Sequence, residues 1–264
     1  MSRIAATFRR LAAEGRTALV LYTTVGYPTL DAALTSVPAL VAAGADVIEL
    51  GVPFSDPLAD GATIQKATQQ ALANGVTTWD CIQTVRIVRA AGVQAPIVFM
   101  GYYNPILQYG LEAFAQDAAA AGADGVIVPD LPPEEADELH AACRAHDLDL
   151  IFMLAPTSTD DRIQQVAERA SGFVYCVSLT GITGGQQVQA ESLPPFLDRI
   201  RRATSLPLAV GFGVTQPAQA QAIAAVADGV IVGSALVALL EHSLDDAVAF
   251  VHALRTAMDA PLTH

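Results

Sequence analysis

Asp46-Val47-Ile48-Glu49-Leu50-Gly51-Val52-Pro53-Phe54-Ser55-Asp56-Pro57-Leu58-Ala59-Asp60-Gly61 passes from a short apolar run directly into a Pro- and Gly-rich loop. The apolar part is too short for a stable helix and reads as a strand buried on both faces. Glu49 leaves the end of that strand, and Asp60 places a second carboxylate on the loop that follows. Two carboxylates in different surroundings can hold different protonation states at one pH, which is the basis of an acid/base pair.

The same grammar repeats along the chain. Strands are expected at Ala18–Tyr22, Val47–Leu50, Ile97–Met100, Gly125–Val128, Leu150–Met153, Phe173–Val177, Leu208–Val210 and Gly229–Val232. Ala-rich stretches with helical spacing lie between them, including Leu30–Ala43, Thr77–Ala91, Pro133–Ala145 and Thr159–Ala170. Several stop at Gly, and Pro133-Glu134-Glu135 puts proline and acids in a first turn, where the missing N–H and the helix dipole favour them. Strand–helix alternation implies parallel strands. Eight such units favour an α/β chain closed into a single (β/α)8 TIM barrel over an open sheet, with residues 1–264 as one domain. Extra short helices are expected at the N-terminus, after the second strand (Ala62–Leu72) and after the eighth (Ser234–Leu240). The segment Met1–Leu11 reads either as a helix capping the barrel floor or as an Arg-bearing transit peptide.

Bulk chemistry narrows the function. The chain has 264 residues, a formal net charge of −13 and 52% hydrophobic residues. Such an acidic surface is a poor partner for nucleic acid or an anionic membrane. Its apolar runs are also shorter than the roughly 20 residues that a membrane helix needs. Cys81, Cys143 and Cys176 are scattered, with no C-x-x-C motif, so neither a disulfide framework nor a zinc site is expected and a reducing cytoplasm fits.

In a barrel of this kind the site lies where the strands end. Flanked by Val47, Ile48 and Leu50, Glu49 should have a raised pKa and trade protons near neutrality; its alternative is an ion pair or a helix cap. Asp60 is either functional or the turn and N-cap before Ala62. Asp130, just before Leu131-Pro132-Pro133, is expected to cap the helix that follows. Gly211-Phe212-Gly213 and Gly233-Ser234 suit a phosphate held by backbone N–H groups, or are plain turns. Ser178–Gln187 is either a lid or a connection. Lys66 is the only lysine and falls on a helical stretch, which disfavours Schiff-base chemistry. No histidine falls at a predicted strand end, which makes a metal site hard to build.

Glu49–Gly61 closely resembles the signature of the tryptophan synthase α-subunit family. So do Thr24-Val25-Gly26-Tyr27-Pro28, Phe99–Pro105, Pro129-Asp130-Leu131-Pro132, Ser178–Gly184 and Gly211–Gly213, in order along nearly the whole chain. The resemblance implies a cofactor-free retro-aldol lyase that cleaves indole-3-glycerol phosphate to indole and glyceraldehyde 3-phosphate. Glu49 would be the acid/base and Asp60 the partner of the indole N–H. Tyr22, Met100, Ile127 and Tyr175 would line the indole slot, and Thr183 would orient Asp60. Gly184, Gly213 and Ser234 would hold the phosphate, with Phe212 and Gly233 completing the substrate-binding set. The implied partner is a pyridoxal-phosphate β subunit in an α2β2 tetramer, met by Pro53, Asp56, Asn104 and Pro105. Alternatives are a free-standing lyase that releases indole, an indole-glycerol-phosphate synthase using a strand-end lysine, and a barrel kept only to activate a partner.

Overall fold

The computed structural model describes residues 2–177, 193–211 and 213–260. Among them are nine strands: β1 Ala18–Thr24, β2 Val47–Gly51, β3 Ile97–Met100, β4 Gly125–Ile127, β5 Asp149–Ile151, β6 Met153–Leu154, β7 Val174–Val177, β8 Leu208–Gly211 and β9 Gly229–Val232. All pair in parallel, in the order β5-β4-β3-β2-β1-β9-β8-β7-β6. This is the eight-unit TIM barrel that the alternation predicts, with one correction. The fifth expected strand, Leu150–Met153, is broken at Phe152. Its lower half pairs with β4 and its upper half with β7, and the Tyr175 N–H donates to the Phe152 carbonyl at 3.0 Å. The barrel circuit therefore passes through one residue that changes partners.

Alternation along each strand sorts side chains into two cores, as the period of two requires. Leu19, Leu21, Ile48, Leu50, Phe99 and Val126 face the surrounding helices. Ala18, Val20, Val47, Val98, Ile127, Ile151, Ala209 and Ile231 fill the barrel itself. The helix Arg3–Ala13 plugs the lower mouth, adding Ile4, Phe8 and Leu11 to that inner core. Phe8 meets Phe173 with ring centroids 5.6 Å apart. Each such burial contributes about 1.5–3 kcal/mol, so the N-terminal segment is structural, as the floor-capping reading holds.

The lower rim is stitched by aspartates that precede strands. Asp46 accepts from the Leu19 N–H at 3.0 Å, Asp124 from Ile97 at 2.7 Å and Asp228 from Leu208 at 2.8 Å. Each carboxylate thus satisfies a donor at the start of a neighbouring strand, and the polar residues of this face go to stability. Helices Ala62–Ala73 and Ser234–Leu240 are the expected extras after β2 and β9. The third unit also carries two helices, Tyr103–Tyr109 and Leu111–Ala121, of which the sequence pattern marked neither. Pro133–Ala145 is not one helix: a 3-10 turn at Pro133–Glu135 precedes the helix Asp137–Ala145.

Candidate active site

Glu49 lies on β2 between Tyr22 of β1 and Val98 of β3, two residues from the C-terminal end of the strand. It is 0% exposed, and neither carboxylate oxygen has a hydrogen-bond partner among the described residues. Burial, seconded by the charge of Asp60, pushes its pKa up to about 8. The ion-pair alternative is thereby removed. An unpartnered buried carboxylate costs folding energy and survives where its proton has a use.

Asp60 sits above it on the loop after β2. The helix Ala62–Ala73 is capped by Gly61 with no side-chain bond, so Asp60 does not serve as its N-cap. Its carboxylate instead turns inward, close enough to perturb Glu49, Tyr22 and Tyr175 electrostatically. Burial lifts its pKa to about 6, against the opposing influence of the Tyr102 hydroxyl. The two acids therefore titrate on opposite sides of neutrality within one site.

The slot around them is built from inward strand positions. Tyr22 is buried, with its hydroxyl 3.2 Å from Thr24 Oγ1, and Met100 packs between the Tyr22 group and the inner core. Ile127 lies fully buried beside Met100 in register, as part of the floor. Tyr175 on β7 is desolvated, and its phenol is held well above its ordinary range by burial and by Glu49. Both tyrosines depend on glycines opposite them. A Cβ at Gly51 would lie 2.1 Å from the Tyr22 hydroxyl oxygen, and one at Gly211 would lie 2.7 Å from that of Tyr175. One lining residue is not marked by the sequence: Met153 packs against the same inner core as Met100 and Tyr175, and alternation outward from Ile151 points to it. Tyr102, a strand-end residue just after β3, interacts with Asp60.

At the eighth-strand end Gly233 caps the helix Ser234–Leu240, leaving Ser234 exposed at its first position. Gly213 is exposed at φ +62°, a conformation that favours glycine. Open N–H groups at a helix start suit an anion. Thr183, Gly184 and Phe212 lie outside the described residues. On the rim, Asp56 and Asn104 are exposed, Pro105 is half-buried and Pro53 is buried. Leu58 and Leu107, at 91% and 45% exposure, add apolar surface to the same two segments. Asp130 caps a different helix from the one expected: it accepts from the Tyr103 N–H at 2.9 Å, at the start of Tyr103–Tyr109. Lys66 is exposed on Ala62–Ala73 and pairs with Glu241, away from any strand end. Among the described residues no group of three or more His, Cys, Asp or Glu is gathered to hold a metal.

A family profile described as tryptophan synthase alpha chain matches residues 8–261. The chain belongs to that family. It is 60% identical over 260 residues to the tryptophan synthase alpha chain of Roseiflexus sp. (strain RS-1), covering 97% of this chain and 100% of the relative. With the alpha chain of Chloroflexus aurantiacus it shares 54% over 266 residues, covering 99% and 100%. The fold agrees with the crystal structure of tryptophan synthase subunit alpha from Legionella pneumophila, with a TM-score of 0.92 at 39% identity over 98% of this chain and 99% of that one. A Mycobacterium tuberculosis tryptophan synthase structure gives 0.92 at 43% identity, again over 98% and 99%.

Proposed function

We propose that this chain cleaves indole-3-glycerol phosphate to indole and glyceraldehyde 3-phosphate by a retro-aldol reaction, as the lyase subunit of a cytoplasmic α2β2 tryptophan synthase. The observation that carries the proposal is Glu49: fully buried, unpartnered, and protonated near neutrality with a pKa of about 8. The indolyl carbon leaves poorly until C3 gains a proton. Glu49 delivers it, and the ring becomes an indoleninium cation. The Asp60 carboxylate, ionised above about pH 6, accepts the indole N–H and stabilises that positive charge. Glu49, now a carboxylate, takes the proton of the glycerol hydroxyl next to the ring. The C–C bond breaks, its electron pair restores the indole, and the hydroxyl-bearing carbon becomes the aldehyde. Protons balance through one residue, and no cofactor takes part.

Tyr22, Met100, Met153 and Tyr175 hold the ring over the two acids, while Gly213, Gly233 and Ser234 take the phosphate. The exposed Asp56, Leu58, Asn104 and Leu107 form the face for the β subunit, which would receive indole. A strand-end lysine, needed by the synthase alternative, is ruled out by the surface position of Lys66. Indole release from indole-3-glycerol phosphate, measured with and without a β subunit, tests the reading. Glu49→Gln and Asp60→Asn should each lower kcat at least a hundredfold. If Glu49→Gln kept more than about a tenth of kcat, a barrier change under ~1.4 kcal/mol, Glu49 would not be the main proton donor.

A further inference from the structure

Resting on the assignment of Asp60 as the ring-stabilising carboxylate, we infer that Tyr102 is its positioning residue, clamping the loop and keeping the carboxylate ionised. Tyr102 lies just beyond β3, 42 positions along the chain from Asp60, and is 6% exposed. Its contacts converge on one short loop. The hydroxyl oxygen accepts from the Ala59 N–H at 2.9 Å. The Asp60 carboxylate, next in the chain after Ala59, lies within electrostatic reach of the same hydroxyl. The ring packs on Phe54, at the start of the loop, with centroids 5.3 Å apart. The accepted N–H occupies a lone pair of the hydroxyl and leaves its single proton available to the carboxylate beside it.

The loop needs such a clamp. Asp60's own stretch is turn, with its N–H on the Pro57 carbonyl at 3.1 Å, and Leu58 beside it is almost wholly exposed. Little apolar burial holds it down. The charge problem is as important. Asp60 faces Glu49, Tyr22, Tyr175 and Tyr102. Burial resists its ionisation, and among the described residues the Tyr102 hydroxyl is the influence that favours its charged form. A hydrogen bond to a charged acceptor is about twice as strong as a neutral one, so this phenol is a selective stabiliser of the ionised state. Such a residue acts on catalysis through Asp60 without touching the reacting atoms.

The test is Tyr102→Phe, which keeps the ring on Phe54 and removes the hydroxyl, with its bond from the Ala59 N–H and its influence on Asp60. The carbon-13 titration of the Asp60 carboxyl, assigned by its loss in Asp60→Asn, should move up by about one pH unit. Activity relative to the unsubstituted chain should fall about eightfold near pH 5.5 and less than about twofold near pH 7.5. Tyr109→Phe removes a comparable bond outside the site, from the Tyr109 hydroxyl to Asp117 at 2.6 Å, and should leave the profile in place. An unmoved Asp60 titration, or a loss equal at every pH, overturns the inference while leaving Asp60's own role intact. Full activity of Asp60→Asn would instead sink the proposed chemistry without touching the titration result.

Discussion

Glu49 should make this protein measurably less stable as pH rises, and Glu49→Gln should abolish that dependence. An ordinary glutamate, and therefore Glu49 in the unfolded chain, titrates near 4.5, while in the folded barrel it titrates near 8. Below pH 4.5 both states are protonated and the residue adds no slope. Between 4.5 and 8 the folded state holds a proton that the unfolded state has released, so stability falls as pH rises. Above 8 the whole penalty is present. At about 1.4 kcal/mol per unit, the full shift corresponds to about 5 kcal/mol. Gln cannot ionise, and its buried amide adds only a constant offset. Urea unfolding of both proteins at pH 5.5, 7 and 8.5 should therefore show the variant gaining about 3 kcal/mol on the wild type across that range. Parallel stability curves, with a gap constant to within about 0.5 kcal/mol, would refute the claim that Glu49 is folded in its protonated form. Loss of indole release in the same variant gives the functional counterpart, so one substitution reads both the cost and the use of the buried acid.

Other perturbations probe the surrounding architecture. Gly51→Ala forces its new methyl against the Tyr22 ring and should cost about 1–3 kcal/mol and raise KM; strict additivity with Tyr22→Leu in a double-mutant cycle would contradict that contact. Arg255→Met strips a buried guanidinium from Asp46 at 3.1 Å and from Asp259 at 2.6 Å, and should cost about 3–5 kcal/mol by denaturant unfolding, with kcat retained; under about 1 kcal/mol would count against it. Lys66→Met breaks a surface pair with Glu241 and should change stability by less than about 1 kcal/mol and leave kcat alone; loss of activity would reopen amine chemistry. Ser234→Ala should raise KM with little change in kcat, and an unchanged KM would remove the hydroxyl from the phosphate site.

Local periodicity and punctuation determine the fold class. Apolar runs such as Asp46–Leu50 and Gly229–Val232 can only be strands covered on both faces, and the helices between them force parallel pairing. The same local logic marked Glu49 and Asp60, because a carboxylate at the end of a buried strand and another on its loop are visible along the chain. What the chain order could not show were relations between distant positions. The change of partner at Phe152 depends on where two neighbouring strands lie, and no residue near it signals the break. A carboxylate ahead of a helix usually caps it, but Asp130 instead accepts from the Tyr103 N–H, 27 positions earlier in the chain and adjacent in space. The helix Tyr103–Tyr109 is a little under two turns, too short for a helical period to stand out. Above all, the functional states of the two acids were decided by tertiary structure. Desolvation and a phenol 42 residues away set which carboxyl keeps its proton, and both act through space, where sequence distance carries no weight.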